Sequence, residues 1–206
     1  MDLHTHCEYS HDSICKMEEM CLAQIEKGTK IFAVTDHCDM DSYTTYDIFS
    51  QIKSSNETAI QLKKKYEGQI ELLAGIELGE GFWHPKQCEK ILKLCDYDVI
   101  LGSVHLVQYK DLTEAFSEMD FSLLEKETIV EYVDAYFDDM LTMIENEDFD
   151  ILAHLTVPLR YINGKYHRGI ELKIYEQKID YILDKIIEKG ITLEVNTSSY
   201  EVLGDF

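Results

Sequence analysis

The sequence predicts an α/β fold built around a parallel, barrel-like sheet, and two observations carry that expectation. Amphipathic stretches at helical period alternate with short apolar, β-branched runs along the whole 206 residues, the pattern of consecutive βα units. The apolar runs also end repeatedly in histidine or glutamate: D-L-H-T-H at 2–6, T-D-H at 35–37, G-I-E at 75–77, G-S-V-H at 102–105 and L-A-H at 152–154. A parallel barrel gathers the C-terminal ends of its strands at one face, where its active site lies.

The elements follow in order. Residues 2–6 are read as a short first strand. Residues 16–27 form a helix on Met17, Met20, Cys21 and Ile25, stopped at Gly28. The run I-F-A-V-T at 31–35 is continuous in apolar residues, as in a strand covered on both faces. A long helix at 47–66 uses Ile48, Ile52, Ala59, Ile60 and Leu62, and a strand at 70–78 follows Gly68. Pro85 suits the first turn of a helix through Cys95, and 98–104 is the next strand. Residues 106–122 lack periodicity and read as a long loop over the active face.

Ile129, Val133, Phe137, Leu141 and Ile144 make the clearest stripe, for a helix at 124–146. Strand 150–154 comes next, then a helix at 171–189 on Ile179, Ile182 and Ile186, and a sixth strand at 191–196. I-E-K-G at 25–28 and 187–190, with K-Y-E-G at 65–68, places glycine where a helix ends. With two prolines and no linker-like stretch, residues 1–206 read as one domain.

Forty acidic against 19 basic residues give a formal net charge of −21. That surface disfavours nucleic acid and anionic membrane as partners. An anionic substrate then needs local positive charge, from metal ions or from the two arginines, Arg160 and Arg168. The six cysteines, Cys7, Cys15, Cys21, Cys38, Cys88 and Cys95, form no C-x-x-C pair. Without a signal-peptide pattern or a long apolar span, reduced thiols in a cytoplasmic protein are expected. Cys7 and Cys38, each beside a motif histidine, are expected to pack beneath the site.

His4 and His6, two apart on a strand, share a face and can reach one ion. Asp36 before His37 reads either as a helix cap or as a residue serving the site. Histidine or glutamate at five strand ends of six is more than packing explains, and imidazole with carboxylate suits zinc, iron or manganese. The metal-ligand candidates are therefore His4, His6, His37, Glu77, His105, His154 and, from the Y-S-H-D stretch, Asp12. Glu77 can bridge two ions, and such a cluster suits hydrolysis of a phosphate ester. Arg160, six residues past His154, can grip a phosphate through two parallel hydrogen bonds. Arg168 and His167 are weaker candidates for the same role. Asn196, ending the last strand, is expected at the same mouth as an orienting group. His84, Trp83, Tyr43 and Tyr46 read as rim or packing residues.

Taken together, H-T-H-x-x-Y-S-H-D, T-D-H, G-I-E-L, V-I-L-G-S-V-H, F-D-I-L-A-H-L-x-x-P-L-R-Y and E-V-N-T-S resemble the polymerase-and-histidinol-phosphatase (PHP) superfamily, and within it the histidinol-phosphatase branch. The resemblance implies a distorted (β/α)₇ TIM-like barrel with up to three divalent ions, zinc, iron or manganese. It implies His4, His6 and Glu77 for the first ion, His37 with Asp12 or His11 for the second, and Glu77, His105 and His154 for the third. Arg160, and His11 where it is not a ligand, fall where substrate phosphate is expected. The implied reaction is hydrolysis of L-histidinol phosphate within histidine biosynthesis. That branch usually continues through one more βα unit to a D-x-H motif with two further ligands, whereas this sequence ends Gly204-Asp205-Phe206. A barrel short of that unit would leave two metal sites a ligand poorer. It would also expose strand edges, an invitation to a homo-oligomer.

Overall fold

Parallel pairing against one long strand organises the N-terminal half. The structure is a computed structural model that describes residues 1–40, 47–112 and 114–197; Tyr43, Tyr46 and Asp205 lie outside these. The chain divides into two compact units, one of residues 1–102 and one beginning at Ser103.

In the first unit the elements are α1 (Met17–Glu26), β1 (Ile31–Val34), β2 (His37–Asp39), α2 (Ile48–Lys65), β3 (Glu71–Gly79), α3 (Pro85–Leu92) and, but for its last residue, β4 (Val99–Ser103). β3 lies between β1 and β4. Its first half pairs in parallel with β1, from Ile31↔Glu71 to Val34↔Ala74, and its second half with β2, where His37 stands opposite Glu77. The sequence reading ran one strand to Thr35 and ended it there. The ladder instead lapses at Thr35 and Asp36 and resumes as β2, so His37 opens a strand and does not follow one.

The expected strand at 2–6 is reduced to a single bridge, Asp2↔Phe32. Asp2 and Thr5 do lie along β1, since the Ala33 amide donates to Asp2 and the Thr35 amide to Thr5. Between them, however, the Thr5 hydroxyl takes the Ala33 carbonyl at 2.7 Å, in place of a backbone donor. Gly75 is demanded by proximity: a Cβ there would stand 2.7 Å from Thr35 Cγ2 and 2.9 Å from the Val99 carbonyl. Asp47 caps α2 by accepting from the Ser50 amide, and Pro85 occupies the first turn of α3. Gly28 and Gly68 leave their helices with φ of +74° and +81°. Two buried clusters fill the unit, one around Cys7, Met17, Phe32 and Leu72, the other around Cys38, Ile52, Ile76 and Ile91.

The second unit contains α4 (Lys126–Asn146), β5 (Ile151–Leu152), a short helix α5 (Val157–Leu159), α6 (Glu176–Lys189) and β6 (Thr192–Leu193). α4 buries Ile129, Tyr132, Val133, Tyr136, Phe137, Met140, Met143 and Ile144, so its apolar face is wider than the predicted stripe and includes two tyrosines. Lys178 on α6 ties to Asp134 and Asp138 of α4, each at 2.7 Å. β5 and β6 pair in parallel over two residues each. α5 runs on as a wider helical turn, Arg160–Lys165, where the sequence reading placed Arg160 in a loop. Among the described residues, no helix is long and apolar enough to cross a membrane.

Candidate metal centre

The β2–β3 register brings His37 beside Glu77, and the 2–6 segment along β1 delivers two more imidazoles to the same carboxylate. His4 Nε2 lies 3.2 Å from Glu77 Oε1, His6 Nε2 3.1 Å from Oε2, and His37 Nδ1 3.0 Å from Oε2. Glu77 is completely buried. Asp12, on the turn after His6, lies 3.0 Å from His6 Nδ1 and 3.6 Å from His37 Nε2. His11 is exposed and stacks on the His37 ring, with centroids 4.8 Å apart. Asp39, two residues beyond His37 on the same strand face, reaches its Nδ1 at 3.6 Å. The sequence reading missed Asp39, although a period of two from His37 pointed to it.

The charges in this cluster are strongly coupled. Burial disfavours a charged His37, but Glu77, Asp12 and Asp39 outweigh it and push the imidazole up to about 10. Burial likewise opposes the charge on His6, and hydrogen bonds to Asp12 and Glu77 overcome it, so this group too is raised. Burial would lift Asp12, yet His37 and His6 hold it well below the usual carboxylate range. These carboxylates make the imidazole lone pairs strong cation acceptors, and a divalent ion competes with protons for the same lone pairs.

A metal ion fits this donor set. One ligand atom each from His6, His37 and Glu77 lie within 4.8 Å of one another. His6 Nε2 is buried against the Glu77 carboxylate at 3.1 Å, so a cation placed there would meet an imidazole nitrogen and a carboxylate oxygen together. Imidazole and carboxylate are the ligands of zinc, iron and manganese.

Segments around the cluster are pinned by side chains. Thr35 Oγ1 accepts from the Thr5 amide, between His4 and His6. Asp36, buried, caps no helix; it accepts hydrogen bonds from Cys7, Ser10 and Ser55. Burial and the neighbouring Asp36 carboxylate push the Cys7 thiol far up, so it stays protonated. All six cysteines are free, and Cys7 and Cys38 are buried as expected.

The second unit holds its own imidazole pair. His105, two residues beyond β4, and His154, two beyond β5, approach with their Nε2 atoms 3.2 Å apart. His154 has a φ of +26°, a strained value for a side-chain-bearing residue, and its main chain is clamped on both sides. Its amide donates to Glu194 Oε2 at 2.6 Å, and its carbonyl accepts from the Tyr136 hydroxyl at 3.1 Å. Glu194 Oε1 accepts from Asn196 Nδ2 at 3.2 Å, and Asn196 Oδ1 accepts from Arg160 Nη2 at 3.4 Å. The predicted orienting residue therefore reaches the predicted phosphate residue directly, and a glutamate the sequence reading did not single out ties it back to His154. Arg168 donates to the Leu124 carbonyl at 2.6 Å, an anchoring contact. His84 is half-buried at the start of α3.

Residues 2–198 match the sequence model of the PHP domain family. The chain belongs to that family and is by class a phosphoesterase with an α/β fold. Its relatives belong to the histidinol-phosphatase branch. It is 29% identical over 198 residues to a "Probable histidinol-phosphatase" of Clostridium acetobutylicum, covering 95% of this chain and 72% of that protein. Among solved structures it resembles the histidinol phosphate phosphatase of Lactococcus lactis, crystallised with zinc, L-histidinol and phosphate. That match has a TM-score of 0.72 and 20% identity, over 97% of this chain and 74% of the other. It also resembles a candidate histidinol phosphatase of Listeria monocytogenes, with a TM-score of 0.80 and 16% identity, over 99% of this chain and 85% of that one.

Proposed function

We propose that this chain is a metal-dependent phosphatase acting on L-histidinol phosphate, and that residues 1–206 work as one functional domain, a reading supported by a family match that runs through both units. The observation that carries the metal dependence is the convergence of His4, His6 and His37 on the buried Glu77 carboxylate. The substrate assignment rests on the named activities of the relatives.

In this reading His4, His6, His37, Glu77 and Asp12 hold divalent ions in the first unit, and His105 and His154 are the candidate metal-binding imidazoles of the second. Bound ions of this kind supply a water acidified enough to attack at neutral pH, and neutralise charge on the phosphoryl oxygens. The Arg160 guanidinium takes a phosphate oxygen pair, with Asn196 and Glu194 fixing its direction. His11, exposed beside His37, offers a further hydrogen bond to phosphate. The ions and Arg160 together supply the positive charge that a chain of net charge −21 needs to accept an anion.

The test is inorganic phosphate release from histidinol phosphate, measured beside a panel of small phosphate esters and nucleotides, before and after chelation and with zinc or manganese restored. Histidinol phosphate should be the preferred substrate, and chelation should abolish turnover. Faster hydrolysis of another ester refutes the substrate assignment, and activity that survives thorough chelation refutes the metal-dependent reading.

A further inference from the structure

Asp36 is buried to 1% exposure, and its carboxylate is saturated by neutral donors rather than by a cation. Oδ1 accepts from the Cys7 amide at 2.7 Å and the Ser10 hydroxyl at 2.9 Å. Oδ2 accepts from the Cys7 thiol at 3.0 Å and the Ser55 hydroxyl at 2.5 Å. A buried charge is tolerated only when its lone pairs are filled in this way.

The donors come from segments that carry or abut the candidate ligands. Cys7 and Ser10 flank the turn that joins His6 to His11 and Asp12, and Ser55 lies on α2. The Ser10 hydroxyl is used twice: it donates to Asp36 and accepts from the His37 amide at 2.9 Å. The Asp36 carbonyl in turn accepts from the Glu77 amide at 3.1 Å. One residue therefore fastens the His6–Asp12 turn, the backbone of His37 and the backbone of Glu77 to one another.

We infer that Asp36 is the positioning residue of the first-unit metal centre: with Ser10, Cys7 and Ser55 it sets the geometry at which His6, His37 and Glu77 converge on a divalent cation. The inference rests on the metal-centre reading above. Asp36→Asn keeps the shape but turns one accepting oxygen into a donor. That NH₂ then faces a hydroxyl together with an amide or a thiol, so the ring around Ser10 or Ser55 must open. Supporting contacts behind metal ligands typically contribute 10–100-fold in metal affinity.

The experiment is calorimetric titration of zinc and of manganese into metal-free wild type, Asp36→Asn, Ser10→Ala and Ser55→Ala, with substrate kinetics at low and saturating metal. Asp36→Asn should weaken metal binding by roughly 10–100-fold. Its KM for the phosphate ester should stay within about twofold of wild type once metal saturates, and kcat should recover. Ser10→Ala, which frees the His37 amide, should shift metal affinity the same way by less. Wild-type metal affinity in Asp36→Asn overturns the inference, as does a kcat loss that saturating metal does not restore. If Asp36→Asn does not fold, Ser10→Ala and Ser55→Ala decide it, and wild-type affinity in both overturns it. A wild-type protein that binds neither ion would instead overturn the metal-centre reading itself.

Discussion

The two groups of ligand-type side chains in this molecule are held by opposite means. In the first unit, side chains do the fastening: Asp36 is a carboxylate hub, the Thr35 hydroxyl accepts from the Thr5 amide, the Thr5 hydroxyl donates to the Ala33 carbonyl, and His37 and Glu77 stand opposite each other in a regular strand pair. In the second unit the candidate ligand itself is strained. His154 sits at a φ of +26° and is kept there by Glu194 on its amide and Tyr136 on its carbonyl. The difference follows from strand length. β3 runs nine residues and offers register to two partners, whereas β5 and β6 pair over two residues each. Where the ladder is short, individual backbone contacts must take over the orienting role.

The comparison is broken most severely at Gly75. A methyl group there would press on Thr35 Cγ2, Val99 Cγ1 and the Val99 carbonyl, and overpacking of this kind costs about 1–3 kcal/mol. Gly75→Ala should lower denaturant stability by that amount. Because Thr35 holds Thr5 between His4 and His6, it should also weaken metal binding in the same titration. A variant with unchanged stability would mean that the first unit is less tightly packed than its contacts imply.

Tyr136→Phe probes the second unit. It removes one hydrogen bond from the His154 carbonyl, which still accepts from the Val157 amide at 3.0 Å, so a cost of about 1 kcal/mol or less is expected. Chemical denaturation measures it. A loss well above that figure would mean that the strained backbone depends on Tyr136 more than on Glu194.

The smallest effect concerns α4, which carries Tyr136. Burial, reinforced by the neighbouring Asp138, raises Asp139 from its ordinary 3.8 to about 6. The folded state therefore favours the protonated carboxyl. This stabilising contribution is complete below about pH 3.8 and is lost as pH rises through about 6. Asp139→Asn should accordingly raise Tm at pH 7.5, with the advantage shrinking toward pH 4. An equal shift at both pH values would assign the effect to packing and not to charge.

Much of the site was legible because its residue types are rare at strand ends. His4, His6, His37 and Glu77 come together, as do His105 with His154 and Arg160 with Asn196; of these groupings, spacing alone pointed only to His4 with His6. The alternation of elements was equally readable from hydrophobic period and from glycine stops such as Gly28, Gly68 and Gly190. The first strand was overread, since an H-x-H spacing does not reveal that a threonine hydroxyl would replace a ladder donor. The break at Thr35 and Asp36 was invisible for a similar reason: an apolar run records burial, not where its hydrogen bonds go.

By itself the sequence determined the α/β order, the family and the residue types offered as candidate ligands, because periodicity and ligand chemistry are local properties. Tertiary structure alone decided that Glu77 is the common partner of three histidines, that Asp36 gathers the turn, the strand and the helix, and that Glu194 links His154 to Asn196. Those choices depend on register and on contacts between residues up to 73 positions apart, as from His4 to Glu77, and no local pattern encodes them.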